Sequence, residues 1–465
     1  MYLTRLASLH RLTPRSSLLV NALSGAVDLV DEDVRGQLLQ LGLGGRAVLE
    51  AGHRQALLER GYLFSSQGEE RAALRRVFDA YQELARARPL QFVVLPTYAC
   101  NLSCTYCFED AALRRRPEVM SGDQAADLFS AIDQLAAPQS GRMCQVVLFG
   151  GEPLLPTTQP VVADLVARAD AAGFAVQVVT NGTWLERFAP VFARHSGTVR
   201  GCQITLDGLQ PVHDARRRAA NGGGSFEQVV RAVDLCLALE IEVNLRVNLD
   251  SQNLGSLEDL VSLLQERGWL GRTGFRCQLA PVTDHSGKTS YPHLMREDEL
   301  VEPVLELWHR RPELKQTLDF QLFRVLHHLL SVVGGEAQPA ALPRFHYCEA
   351  DRGDVFAFGP DGLIYICPES AGSRRHAVGT YSPRFRLWGR RLKPWRHRSV
   401  LALPECQDCA IATFCGGGCG YAAWLQRGSP AHGVCGQTPQ VVKSYLGLLR
   451  GQIEAGQTAL RLPVP

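Results

Sequence analysis

No apolar run in these 465 residues reaches the ~18 that a membrane-spanning helix needs. A secretory h-region is missing from the first 25 residues, which also lack any Asp or Glu. Those features point to a cytoplasmic protein whose first segment opens a domain. Charge of one sign is lacking too: 49 Lys and Arg face 47 Asp and Glu, for a net charge of +2. That balance gives no global pull toward nucleic acid or an anionic membrane, so neither is expected as a partner. The one local concentration, "RFRLWGRRLKPWRHRS" at 384–399, reads as a solvated basic face. Internal repeats and low-complexity tracts are absent. With 46% hydrophobic and 21% charged residues, the chain has material for two or three ordinary globular domains.

Cysteine is not scarce. Of the 14, three stand at 100, 104 and 107 and four at 406, 409, 415 and 419. Disulfide scaffolds are small and loop-rich, so clustered thiols in a long apolar-patterned chain point to metal. A structural zinc site and a redox iron–sulfur cube each normally take four ligands. Three thiols close together therefore imply either a distant fourth ligand or an open metal corner. Cys144, Cys202, Cys236 and Cys277 lie in apolar segments and read as buried, inert thiols.

Between residues 90 and 285, apolar runs alternate with amphipathic segments. "LQFVVL" (90–95), "CQVVLFG" (144–150), "FAVQVVT" (174–180), "GCQITL" (201–206), "IEVNLRVNL" (241–249) and "FRCQLAPV" (275–282) read as strands. Ser121 with Gln124 forms a capping box, and "TQPVVADLVARADAAG" places Val161, Val162, Leu165, Val166 and Ala169 on one face. Six β/α units in series predict an α/β fold, a parallel sheet curled into a partial (β/α)6 barrel. Ligands collect at the carboxyl ends of such strands, where the unusual stretches fall. "CNLSCTYC" follows the first strand, "GGEP" the second, "TNG" the third and "LDG" the fourth, with Arg246 and Asn248 near the end of the fifth.

Residues 1–85 outline a winged-helix-like module: a hairpin of "YLTRLASLHRL" with "SSLLVNAL", helical segments, then "RGYLFSS" as a short third strand. Residues 286–345 read as a helical linker, 346–437 as a cysteine-rich domain and 438–465 as a C-terminal helix and tail.

Cys100-x3-Cys104-x-Tyr106-Cys107 together with Gly150-Gly151-Glu152-Pro153 resembles the radical S-adenosylmethionine (SAM) enzymes over residues 90–285. The resemblance implies a [4Fe–4S] cluster on the three thiolates, its fourth iron left for the amino and carboxylate groups of SAM. It further implies that Gly150 and Gly151 admit the methionyl ammonium, that Glu152 offsets its charge, and that Tyr106 lies against adenine. Thr180, Asn181, Thr205, Asp207 and Arg246 are further candidate SAM contacts. Such enzymes cleave SAM with one electron, from a donor such as flavodoxin or ferredoxin, to give a 5′-deoxyadenosyl radical that abstracts hydrogen.

The later cysteines, Cys348, Cys367, Cys406-x2-Cys409-x5-Cys415-x3-Cys419 and Cys435, resemble the SPASM extension, which carries two auxiliary iron–sulfur clusters. By that resemblance Cys406, Cys409, Cys415 and Cys435 complete one cluster. Cys348, Cys367 and Cys419 hold the other, leaving an iron open to a substrate thiolate or amide. SPASM relatives mostly act on peptides, and the leading module resembles leader-binding elements, so a maturase of a ribosomally made precursor peptide is expected. Two alternatives stand beside it. One is a formylglycine-forming sulfatase maturase, whose Asp after the cysteine is replaced here by Pro368 and Glu369. The other is a non-catalytic iron–sulfur or zinc scaffold.

Overall fold

The computed structural model describes residues 1–454 except 140, 288–289, 312–313, 315–316 and 334–342. The expected tail after 454 and part of the linker lie outside the described residues.

Six strands, Leu90–Val94, Cys144–Leu148, Ala175–Thr180, Val199–Thr205, Glu242–Leu249 and Phe275–Pro281, run parallel, each bonded to its predecessor. Side chains alternate in these strands. In Ala175–Thr180, Val176, Val178 and Thr180 are buried while Gln177 and Val179 are half-exposed. The buried set meets helices such as Gln159–Ala171, whose Val161, Val162, Leu165, Val166 and Ala169 are all buried. Burial of one such apolar side chain contributes about 1.5–3 kcal/mol, so this face carries the fold. The opposite face is amide-rich at the amino ends of the strands, with Gln177, Asn244 and Gln278 lining a cavity of about 290 Å³. Parallel sheets are usually apolar on both faces. An amide-lined inner face is that of a hollow half-barrel.

Among the described residues the sheet does not close. Beyond Phe275–Pro281 it gains the short strand Leu318–Asp319, which stands within the segment expected as helical linker. At the other edge Val355–Phe358 adds parallel to Leu90–Val94, followed antiparallel by Leu363–Tyr365, Gly379–Thr380 and Arg386–Leu387. Among the described residues eleven strands thus form one open sheet, and the strands between Cys348 and Cys406 extend the half-barrel rather than standing apart from it.

At the amino terminus Ala7–Arg11 and Ser16–Asn21 form the expected hairpin. Its third strand is Val27–Asp31, not the stretch around Leu63, which instead pairs with Tyr2–Leu3. The irregular pattern of "VDLVD", with Leu29 exposed and Val27 and Val30 buried, hid that strand. Helices Glu32–Gly42, Ala51–Glu59 and Gln67–Arg86 complete the module.

The capping box is present: Ser121 Oγ accepts from Gln124 N at 3.1 Å, and Gln124 Oε1 from Ser121 N at 2.9 Å. Ser121→Ala should lower the denaturant midpoint by the equivalent of about 1 kcal/mol and leave bound iron unchanged.

Candidate functional site

The carboxyl ends of the strands carry three loops that interlock through backbone. Gly150 sits at φ +133°, and a Cβ there would lie 2.5 Å from the Thr97 carbonyl oxygen. At Gly151 a Cβ would meet the carbonyl oxygens of Tyr98 and Ala99 at 2.2 and 2.4 Å. Only glycine permits this approach. It presses the loop holding Pro153 onto the residues leading into Cys100, with Glu152 N donating to Ala99 O at 2.9 Å.

Glu152 then ties in the third loop. Its carboxylate is 1% exposed and accepts from Thr180 Oγ1 at 2.6 Å, Asn181 N at 2.7 Å and Leu154 N at 2.9 Å. Burial still holds its pKa above the usual carboxylate range, against the pull of those donors. Asn181 Nδ2 reaches Asn101 Oδ1 at 2.9 Å and lies 3.9 Å from Cys100 Sγ. Glu152 is thus engaged by three protein donors.

Cys104 ends a short strand, Leu102–Cys104, paired antiparallel with Arg217–Ala219. Burial, then the charge of Glu152, pushes the Cys100 thiol far up, and burial pushes Cys107 up to about 11. Beyond Cys104, the Tyr106 hydroxyl donates to Asp207 Oδ2 at 2.5 Å and accepts from Arg217 Nη1 at 2.8 Å and Asn248 Nδ2 at 3.1 Å. Arg216 stacks over the Tyr106 ring with its guanidinium carbon 4.8 Å from the centroid. It is itself buried, bonded to Asp207, Asp250 and the Asn248 carbonyl. Thr205 ends the fourth strand, buried and in register with Arg246, whose Nε donates to Asn248 Oδ1 at 2.8 Å. Burial lowers the Arg246 pKa. Sequence reading missed Arg216 and Arg217; an arginine run is usually a solvated face, and only the pairing across to Cys104 reveals its place.

The other cysteines gather in two groups. Cys406, Cys409, Cys415 and Cys435 are near enough for their charges to interact, as are Cys348, Cys367 and Cys419. Among the described residues no three His, Cys, Asp or Glu groups converge on a point where one metal ion could sit. A cube asks for less, because each iron takes its own thiolate. Fit at the first set is further supported by Arg217, whose buried Nε has no protein partner among the described residues and whose charge couples first to Cys104. Cys202, Cys236 and Cys277 are buried on the helix side of the sheet, while Cys144 is only half-buried.

Two polar groups near the second set were also missed. His285 forms an ion pair with Glu369 at 2.5 Å. Burial would raise the Glu369 pKa, but His285 and then Arg246 and Arg324 hold it below the usual value. Arg398, fully buried, pairs with Asp351 at 3.2 Å and donates to the carbonyls of Gly417, Gly418, Pro430 and His432. One guanidinium therefore links the turn between Cys415 and Cys419, the loop before Cys435 and the helix after Cys348.

Two substitutions separate these roles. Gly151→Ala should displace Cys100 and lower iron per chain by about one third, one cube of three, read by colorimetric iron assay. Arg398→Met strands the Asp351 charge and should cost about 3–5 kcal/mol in chemical denaturation, with Arg398→Met/Asp351→Asn recovering part of that loss.

Residues 94–264 match the Radical SAM superfamily. The cysteine-type anaerobic sulfatase-maturating enzyme of Clostridium novyi is 23% identical over 291 residues, 60% of this chain and 74% of that protein. Among solved structures, native anSMEcpe with bound AdoMet superposes with a TM-score of 0.57 at 16% identity, covering 79% of this chain and 98% of that one. Streptococcus suis SuiB bound to precursor peptide SuiA superposes with a TM-score of 0.52 at 14% identity, covering 93% of this chain and 98% of that one. No helix among the described residues is long and apolar enough to cross a membrane. The chain carries a radical SAM domain homologous to that of the sulfatase-maturating enzymes, and it is an enzyme that uses S-adenosylmethionine and a [4Fe–4S] cluster.

Proposed function

We propose that this enzyme modifies a ribosomally made precursor peptide by an oxidation such as a cross-link, holding the leader on its amino-terminal module. The observation that carries this reading is the extent of likeness. The peptide-bound SuiB structure covers 93% of this chain and anSMEcpe 79%. The difference, 14% of 465 or about 65 residues, is smaller than the 85-residue amino-terminal module.

Its sheet supports the role. Strand Val27–Asp31 pairs only with Ser16–Asn21, so its outer edge has no partner among the described residues. Leu29 on that strand is 38% exposed, and Leu39 and Leu43, in the last turn and just past the end of the helix that follows it, are 43% and 90% exposed. An extended leader adding to that edge would take main-chain bonds for affinity and apolar contacts for specificity. The module also touches the cysteine-rich part: Thr413 Oγ1 donates to Ala22 O at 2.6 Å, and Tyr81 stacks on His346 with ring centroids 5.5 Å apart.

In this reading Cys100, Cys104 and Cys107 hold the SAM-cleaving cluster; Cys406, Cys409, Cys415 and Cys435 hold a second, and Cys348, Cys367 and Cys419 a third. When bound, the cluster and SAM would supply one-electron chemistry able to take hydrogen from carbon. The chain's own groups position and shield. Gly150 and Gly151 fix the second loop on the first, Pro153 anchors that loop by accepting from Thr158, and Glu152 holds Thr180 and Asn181 toward Cys100. Tyr106, braced by Asp207, Arg217 and Asn248, presents a fixed aromatic edge, and Thr205 with Arg246 closes the rim. An external one-electron donor completes the system.

The formylglycine reading is favoured by the Clostridium novyi relative. Against it, the position after Cys367 is Pro368, and Glu369 is ion-paired with His285.

Leu29→Glu/Leu43→Glu should raise the KM for a leader-bearing precursor about tenfold or more, followed by mass spectrometry of the product, while dithionite-driven 5′-deoxyadenosine formation without peptide stays unchanged. Equal peptide kinetics in the variant would remove the leader role.

A further inference from the structure

We infer that the basic face formed by residues 115–116, 374–375 and 384–396 is the docking surface for an acidic one-electron carrier protein. Between Glu369 and Glu405 the chain has no acidic residue. Within that stretch Arg374, Arg375, Arg384, Arg386, Arg390 and Arg391 are all exposed. Among the described residues none of the six is ion-paired; Arg391 donates only to the carbonyls of Arg374 and Ala377. In a chain of net charge +2, such a local excess needs a counterpart. A solvated face would interleave both signs.

Location decides what the counterpart is. On one side the basic loop rests on the first cysteine segment: a Cβ at Gly372 would lie 2.6 Å from the Leu113 side chain. Leu113–Arg115 is the turn that follows Cys107, and the Arg114 carbonyl accepts from Cys100 N at 3.3 Å. Arg115 and Arg116 are exposed there, and Phe108, next to Cys107, is 50% exposed. The exposed acids near this face are Asp110, Glu118 and Asp361, and the half-buried Asp127 accepts from Ser382 Oγ at 2.7 Å.

On the other side the same segment covers the SPASM cysteines. Trp395, the buried aromatic of helix Gly389–Arg396, lies against Gly420, where a Cβ would be 2.7 Å from its ring. His376 packs on Tyr421 and Trp424 with ring centroids 5.4 and 4.9 Å away. Gly420 and Tyr421 directly follow Cys419.

The basic face is therefore the outer skin over two cysteine sets, with an exposed aromatic at its margin. Nucleic acid or an acidic leader would gain nothing from that position. A carrier would. The reduced carrier loses one electron, the nearer cluster gains it, and no covalent bond or proton moves. Complementary charge would speed encounter and make it salt-sensitive. The inference takes the cysteine sets as cluster ligands and does not depend on the peptide reading.

The test uses the anaerobic holoenzyme and a purified acidic flavodoxin as probe. Binding by calorimetry should weaken about tenfold or more from about 50 to about 300 mM salt. Arg384→Glu/Arg386→Glu/Arg390→Glu should weaken it about tenfold at low salt and slow flavodoxin-driven 5′-deoxyadenosine formation in parallel, with dithionite-driven formation unchanged. The milder Arg→Gln triple variant should fall between. Wild-type flavodoxin affinity in the reversed variant overturns the proposal, as does a face that binds a short DNA duplex or the acidic segment of a precursor and leaves flavodoxin unbound. Absence of 5′-deoxyadenosine with dithionite would instead strike the cofactor assignment, and the binding measurement would still decide the docking face.

Discussion

A carboxylate with almost no access to water holds the candidate site in register. Glu152 would be costly to bury alone, and its cost is offset because it gathers donors from two strand ends. Those donors define where the third loop lies, and the third loop reaches Asn101 and Cys100. The constraint works only because Gly150 and Gly151 let the loop sink onto the carbonyls of residues 97–99. Backbone contact sets the distance and buried charge sets the direction. The cysteine loop is thus over-determined before any cofactor binds, as preorganised sites require.

A second buried charge does the same for the carboxyl-terminal part. Arg398 satisfies four carbonyls in turns too irregular to satisfy themselves and is neutralised by Asp351. Burial pushes the Asp351 carboxyl up to about 6 even with that partner. Apolar side chains such as Trp395, Val400, Leu403 and Phe414 pack around these turns but cannot satisfy their carbonyls. A guanidinium with five donors is an efficient organiser of such turns, and the strands that continue the half-barrel sheet provide the rest of the framework.

Much of this was legible in the sequence, for identifiable reasons. The six parallel strands stood out because each apolar run is bounded by polar or glycine-rich turns, and the helix at Ser121 because its capping box is local. Glycine spacing flagged a close backbone approach, and the structure places Thr97, Tyr98 and Ala99 against those glycines. What escaped was non-local. Strand Val27–Asp31 breaks the period of two, Arg217 takes its meaning from pairing with Cys104, and Glu369 from a histidine 84 positions earlier. Charged residues look alike in sequence whether solvated or buried, because burial depends on what folds over them.

The amide-lined cavity of about 290 Å³ opens at the amino ends of the strands, away from the cysteine loops, so the loops at the carboxyl ends alone shape the space beside the candidate site. A peptide substrate would present its reacting residue there on an extended segment, and such a segment has little enthalpy to hold it in place. Affinity must then come from elsewhere on the chain, which is the task an unpaired strand edge with exposed leucines can perform. Tethering raises the local concentration of the segment at the rim. Under the peptide reading, the interlocked loops and a separate binding edge are therefore two halves of one solution to acting on a flexible segment.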